Sequence, residues 1–137
     1  MAHPYDREHL EFPRLWQTIA WLLVVAVVIV TLMPKPPQVE FMPSWDKAHH
    51  FLAYAGLTFW FRQAFVSIRW TIFLMALGIA LEFIQGWSGY RYFEYGDMLA
   101  NTLGVIGGLL LASTPLGRLI RWLDYTLGVW MRRWVRS

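Results

Sequence analysis

Four long apolar runs separate short polar segments along the chain, and they limit the folds that it can adopt. The first run, residues 15–33, contains the charge-free stretch WLLVVAVVIV. A helix of about 20 apolar residues rises the ~30 Å needed to cross the hydrocarbon core of a bilayer. The other three runs are residues 51–66, 70–84 and 98–112, each short for a span but extended by interfacial flanks. The pattern predicts four membrane-spanning helices.

The composition also favours a chain that lies mostly in lipid. Of the 137 residues, 57% are apolar and only 15% are charged, and the mean hydropathy is +0.38. Soluble domains carry about 25% charged residues, and disordered chains carry more charge and less hydrophobicity than this one. The chain has no cysteine, so disulfides, thiolate metal sites and cysteine nucleophiles are excluded.

Basic residues predict the orientation. If all four runs span, nine of the twelve Lys and Arg residues lie on one side of the membrane and three on the other. The nine comprise two in the N-terminal segment, two in the loop between the second and third runs, and five in the tail. Because cytoplasmic loops retain positive charge, both termini are expected in the cytoplasm. The expected organisation is a cytoplasmic segment at 1–14, a four-helix transmembrane domain at 15–112 and an amphipathic interfacial helix at 113–137.

The tail beyond Pro115 has helical spacing of its apolar residues. They are Leu116, Leu119, Ile120, Leu123, Leu127, Trp130 and Trp134. The arginines fall largely elsewhere, which predicts an amphipathic basic helix. Attraction of ~1 kcal/mol per basic residue to anionic lipid favours a position on the inner leaflet, and packing on another protein is the alternative. The predicted fold class is therefore all-α, a bundle of four transmembrane helices plus this C-terminal helix.

Polar residues gather at the predicted outer end of the bundle. Spacings of three or four residues place those of each helix on one face, which predicts a common inward-facing pocket. The candidate pocket residues are Asp46, Lys47, His50, Tyr54, Glu82, Gln85, Arg91, Asp97 and Asn101. Three of them also have a plainer interpretation, since Asp46 and Asp97 would suit helix N-caps and His50 an interfacial position.

Glu82 is the hardest of these residues to dismiss. A charged side chain deep in a spanning helix costs ~2.5 to 3.5 kcal/mol on insertion scales, so it is expected to face the bundle interior with a partner. Arg91, Lys47 and His50 are the candidate partners, and a purely structural ion pair is the alternative. No cofactor motif is present. No metal site is predicted either, because His49 and His50 are adjacent and point about 100° apart on a helix.

The third loop and the fourth run carry two further patterns. Five aromatic residues crowd the loop, and they suit either an interfacial belt or, with Arg91, a platform for a ligand. They are Trp87, Tyr90, Tyr92, Phe93 and Tyr95. In the fourth run, Gly104 and Gly108 form a small-xxx-small pair that predicts close helix packing.

The ordered polar motifs resemble those of a known family. They read DKxxHFxxY at 46–54, ExxQ at 82–85 and RxxExxDxxxNxxG at 91–104. This set is similar to the VanZ-like family of small bacterial membrane proteins, named after a teicoplanin-resistance protein, over about residues 46–108. His49 is an additional histidine relative to the family pattern. The resemblance implies four or five spans in a bacterial cytoplasmic (inner) membrane, and it implies no defined molecular activity.

Three functions are compatible with these features. The first is a non-enzymatic protein whose outward pocket binds an envelope lipid, a cell-wall precursor or a glycopeptide-like amphiphile. The second is a membrane enzyme in which Glu82 or Asp97 acts as general base beside His50 and Arg91 on a phosphate or glycosidic substrate. The third is a small transporter or flippase that forms homo-oligomers, with Glu82 as a proton site. The expected partners are membrane lipids, and no nucleic-acid partner is expected.

Overall fold

The computed structural model describes residues 9–34 and 45–137, and this part of the chain is helical without any strand. The helices are α1 (Pro13–Leu32), α2 (Trp45–Ala64), α3 (Arg69–Ser88), α4 (Tyr95–Ala112) and α5 (Leu119–Arg136), with a short 3-10 turn at Pro115–Arg118. The predicted all-α class is confirmed. The predicted segment 1–14 lies largely outside the described residues.

Three of these helices are long and apolar enough to cross a membrane, namely α1, α3 and α4. Helix α2 has 20 residues, as α1 and α3 do, but its composition is more polar. It begins six residues before the apolar run at 51–66, so its first turns carry the polar motif at 46–50. A fourth span therefore stays a prediction.

The polar composition of α2 is explained by its central position. Helix α2 packs against α1, α3 and α4, and its Leu57 and Phe61 are buried together with Leu74 of α3. Because its neighbours cover it, α2 can carry polar side chains. On α1, Leu22 and Val25 are exposed, as expected for a helix that faces lipid.

Successive helices in the bundle run in opposite directions. At one end, the Trp60 Nε1–H of α2 donates to the Trp16 carbonyl of α1 across 3.1 Å. At the other end, the Gln85 side chain of α3 donates to the Thr31 carbonyl of α1 across 2.5 Å. We call the first the tail end, because α5 also lies there. We call the second the polar end, because the first turns of α2 and α4 and the last turn of α3 meet there.

Two glycines allow α2 and α4 to approach closely, as the small-xxx-small spacing predicts. A Cβ atom on Gly104 would lie 2.4 Å from the Phe51 carbonyl oxygen, and one on Gly108 would lie 2.5 Å from the Ala55 carbonyl oxygen. Both obstacles are backbone atoms of α2, which cannot rotate away. Any side chain at these positions would push the two helices apart.

The tail helix is fixed to the bundle by a buried carboxylate. Asp124 of α5 accepts hydrogen bonds from the backbone N–H groups of Glu11 (2.6 Å) and Phe12 (3.0 Å) and from the Trp16 indole (2.8 Å). Phe12 is the N-cap residue of α1 and its side chain makes no capping hydrogen bond. Asp124 thus caps α1 from 112 residues away in the sequence.

The apolar stripe predicted for the tail is divided between two environments. Ile120 is fully buried and Leu123 packs beside it against Trp16 and Ala64. Nearer the C-terminus, the apolar residues of α5 are exposed, among them Trp130 and Trp134. The amphipathic helix is therefore present, and its position on a membrane surface stays a prediction.

Candidate functional site

A buried network at the polar end connects three helices. His50 Nδ1 of α2 lies 2.9 Å from Asn101 Oδ1 of α4, and the Asn101 amide nitrogen lies 3.3 Å from Glu82 Oε1 of α3. A carboxylate only accepts, so the amide nitrogen of Asn101 faces Glu82 and its oxygen faces His50. The Asn101 oxygen then accepts the hydrogen on Nδ1 of the imidazole. All three side chains are buried.

Asp97 lies on the opposite edge of the His50 ring. Its Oδ2 is 3.7 Å from His50 Nε2, which is longer than a hydrogen bond. In a neutral imidazole whose Nδ1 carries the hydrogen, Nε2 presents a lone pair. The ring therefore presents an electron pair to a carboxylate, an arrangement that a proton or a metal ion between them would stabilise.

Two cationic side chains lie at the opening of the network. Lys47 Nζ contacts Glu94 Oε2 at 2.7 Å and Asp97 Oδ1 at 3.2 Å. Arg91 Nη2 contacts the Asp46 carboxylate at 3.1 and 3.3 Å. The alternative interpretation of Asp97 as the N-cap residue of α4 is wrong, because Glu94 occupies the N-cap position. Asp97 lies in the first turn of α4 and pairs with Lys47.

The charges of this network do not balance. Four carboxylates, those of Asp46, Glu82, Glu94 and Asp97, stand against the two cations, Lys47 and Arg91, when His50 is neutral. Both cations are already paired with carboxylates. The excess negative charge favours a further cation inside the network, so an anionic group would find its favourable contact at Arg91, a cationic side chain at the opening.

Two buried polar atoms at this site are not satisfied within the described part of the chain, one of them on Glu82 of the network and the other on Tyr54. The Tyr54 hydroxyl and Glu82 Oε2 are both buried and have no hydrogen-bond partner among the described residues. The Tyr54 ring lies against Gly78 of α3, where an added Cβ would come within 3.1 Å of it. Buried polar atoms in folded proteins are almost always hydrogen-bonded, so these two need a further partner such as water or an ion.

Hydrogen bonds and close charged contacts link five of the nine predicted pocket residues, namely Lys47, His50, Glu82, Asp97 and Asn101. The Asp46–Arg91 pair lies beside them, with a ligand atom of Asp46 within 4.8 Å of those of His50 and Asp97. Tyr54 lies one turn deeper on α2, and the Gln85 side chain bonds to α1 instead. Glu94, which belongs to the motif at 91–104, pairs with Lys47 and thereby joins the cluster. Among the three candidate partners of Glu82, His50 is the one in contact, at 3.5 Å.

Most of the aromatic residues of the third loop are exposed. Trp87 is 90% exposed and Tyr92 is 93% exposed, while Phe93 stacks on Phe83 with ring centroids 5.2 Å apart. The exposed rings lie at the polar end, where α3 leads into α4. This placement is compatible with both an interfacial belt and a ligand platform.

Comparisons of the chain with protein-family models, with curated proteins and with solved structures found no match. The resemblance of its polar motifs to the VanZ-like family therefore stays a prediction from the residues themselves.

Proposed function

We propose that this chain is a VanZ-like protein of the bacterial cytoplasmic membrane that binds the headgroup of a phosphate-bearing envelope amphiphile at its outward polar end. The observation that carries the proposal is the position of the polar network at one end of a bundle with exposed apolar sides. An amphiphile has the same division, with a polar head and an apolar chain. Its head would meet the network while its chain lies along the helices in lipid.

The orientation rests on the arginines of the tail end. Arg14, Arg62 and Arg69 lie at this end, as do Arg118 of the 3-10 turn and the four arginines of α5. The positive-inside rule therefore places the tail end in the cytoplasm and the polar end outside. Helix α2 is the fourth span, because 20 residues cover ~30 Å and its neighbours shield its polar groups. Helix α5 lies on the inner leaflet with Trp130 and Trp134 in the headgroup region.

The pair of Arg91 and Asp46 supplies the contact with the headgroup. The Arg91 side chain is 19% exposed and the Asp46 side chain is 42% exposed, so this pair lies at the opening. A phosphate oxygen competes with Asp46 for the guanidinium, whose planar donors match phosphate geometry. Exposed Trp87 and Tyr92 border the polar end at the depth where headgroups lie.

Lipid retention measured by native mass spectrometry tests this function. The purified full chain in detergent is mixed with phosphatidylglycerol, with a polyprenyl phosphate or with diacylglycerol, which lacks phosphate. We expect retention of the phosphate-bearing lipids and a loss of about tenfold or more in the Arg91→Gln variant, because a charged hydrogen bond is removed. Arg69→Gln removes a guanidinium at the tail end and is the matched control. Equal retention of all three lipids, or an equal loss in both variants, would contradict the proposal.

A further inference from the structure

We propose that Asp46, His50 and Asp97 bind a divalent transition-metal ion of the zinc or manganese class. One ligand atom from each residue lies within 4.8 Å of the other two. Asp46 and His50 are four residues apart on α2, and Asp97 is in the first turn of α4. Two rigid helices therefore present all three side chains to one point.

The geometry around His50 favours a metal ion. Zinc binds nitrogen and carboxylate oxygen at about 2.0–2.2 Å, so two ligands of one tetrahedral ion lie roughly 3.4 Å apart. His50 Nε2 and Asp97 Oδ2 are 3.7 Å apart, close to that separation. Asp46 is the one of the three ligands that is not buried, and its carboxylate would have to turn from Arg91 towards the ion to complete the set.

The far side of the His50 ring is arranged as in metal sites. A histidine that binds a metal almost always donates its other N–H to an oxygen acceptor, which fixes the tautomer and the ring orientation. Here Asn101 Oδ1 is that acceptor, at 2.9 Å from Nδ1. In the neutral ring with its hydrogen on Nδ1, Nε2 carries the lone pair that a metal ion would bind, and Nε2 lies on the edge of the ring nearest Asp97.

A second buried carboxylate, that of Glu82, lies on the Nδ1 side of the His50 ring and adds to the local negative charge. Glu82 is fully buried, its Oε1 lies 3.5 Å from His50 Nδ1, and its Oε2 has no hydrogen-bond partner within the described residues. A buried, incompletely paired carboxylate is costly unless positive charge is near. A divalent ion on the other edge of the His50 ring offsets the excess of four carboxylates over two cationic side chains.

The ligand set indicates the class of the ion. One imidazole with two carboxylates suits zinc or manganese, because imidazole favours the former and carboxylates the latter. Three protein ligands leave a coordination position for water or for a phosphate oxygen. The inference goes beyond the proposed headgroup binding and does not require it, since the ion is held by protein ligands alone.

Direct titration of the metal tests the inference without any lipid. The full chain, free of an affinity tag and stripped of metal with a chelator, is titrated in detergent with Zn²⁺ and with Mn²⁺ by isothermal calorimetry. We expect one saturable site per chain for at least one of the two ions. Asp46→Asn and Asp97→Asn should each weaken binding at least about tenfold, and a bound ion should raise the unfolding temperature.

Glu94→Gln is the matched control, because Glu94 is an acidic residue of the same cluster that contacts Lys47 and is not a proposed ligand. Its affinity for the ion should stay within about threefold of that of the wild type, since it lies outside the ligand set. Asp46→Asn keeps the inference testable if Asp97→Asn fails to fold, because Asp46 is only partly buried. Absence of saturable binding by the wild type would overturn the inference. So would an equal loss in Glu94→Gln and Asp46→Asn, which would indicate diffuse attraction to an acidic surface.

Discussion

Asn101 of α4 and His50 of α2 share a buried hydrogen bond of 2.9 Å near the polar end of the bundle. The same Asn101 amide donates to Glu82 of α3. One side chain therefore sets both the hydrogen position on His50 and the environment of the buried carboxylate. The chemistry of the polar end depends on this three-helix contact, and the close packing of α2 on α4 positions it.

Removing Glu82 should destabilise the fold more than removing Arg91. Glu82→Ala leaves the Asn101 amide without its carboxylate acceptor in a buried site, at a cost of about 1–3 kcal/mol for each unsatisfied group. Arg91→Ala breaks a partly exposed pair with Asp46, whose carboxylate can then be hydrated. Thermal unfolding of the two variants in detergent measures the difference. If Arg91→Ala unfolds the protein while Glu82→Ala has no effect, Arg91 is the structural residue.

The packing of α2 on α4 should tolerate no side chain at two glycines. Gly104→Ala and Gly108→Ala should each lower stability by about 1–3 kcal/mol, because the new Cβ meets backbone atoms of α2. Gly56→Ala is the control, since a Cβ there has nothing within 4 Å. An Ala in mid-helix should leave stability unchanged or raise it by up to about 1 kcal/mol. Equal unfolding temperatures for all three variants would show that the helices are not packed this closely.

Asp124 should be needed to hold the tail helix to the bundle. Asp124→Ala removes three hydrogen bonds to a buried carboxylate, including those that cap α1, and should cost roughly 2–4 kcal/mol. Thr126→Ala is the control on the same helix, because the Thr126 hydroxyl bonds only to the Leu123 carbonyl of α5 itself among the described residues. Limited proteolysis across residues 113–118 reports release of α5. Equal cleavage of both variants would mean that Asp124 does not anchor it.

The helices and the faces of the polar end were accessible from sequence because they depend on local spacing. Apolar runs at 15–33 and 70–84 predict α1 and α3 to within a few residues. The spacing of four between Asp97 and Asn101 places both on the face that meets His50. The spacing of residues within one helix was therefore enough to predict where a helix lies and which of its polar residues share a face.

Contacts between distant segments were not accessible in this way. The capping of α1 by Asp124 joins residues 112 apart, and no periodicity reports such a pairing. One feature of the sequence could have marked Asp124 as a residue with a structural partner. It is the only acidic residue after Asp97, and it lies in a helix that is otherwise mainly apolar and basic. The contact of Gln85 with α1 was missed for the same reason, since its spacing from Glu82 specifies a face but not the neighbouring helix.

Whether α2 crosses the membrane with its polar end outward decides the proposed function, and cysteine accessibility measures it directly. The chain has no cysteine, so each introduced one is unique. In spheroplasts, a membrane-impermeant maleimide should label Gln38→Cys and Ser88→Cys, which flank the polar end in sequence. Ser67→Cys, between α2 and α3, should react only after permeabilisation. Labelling of Gln38→Cys and Ser67→Cys from the same side would show that α2 does not span. External labelling of Ser67→Cys alone would place the polar network in the cytoplasm.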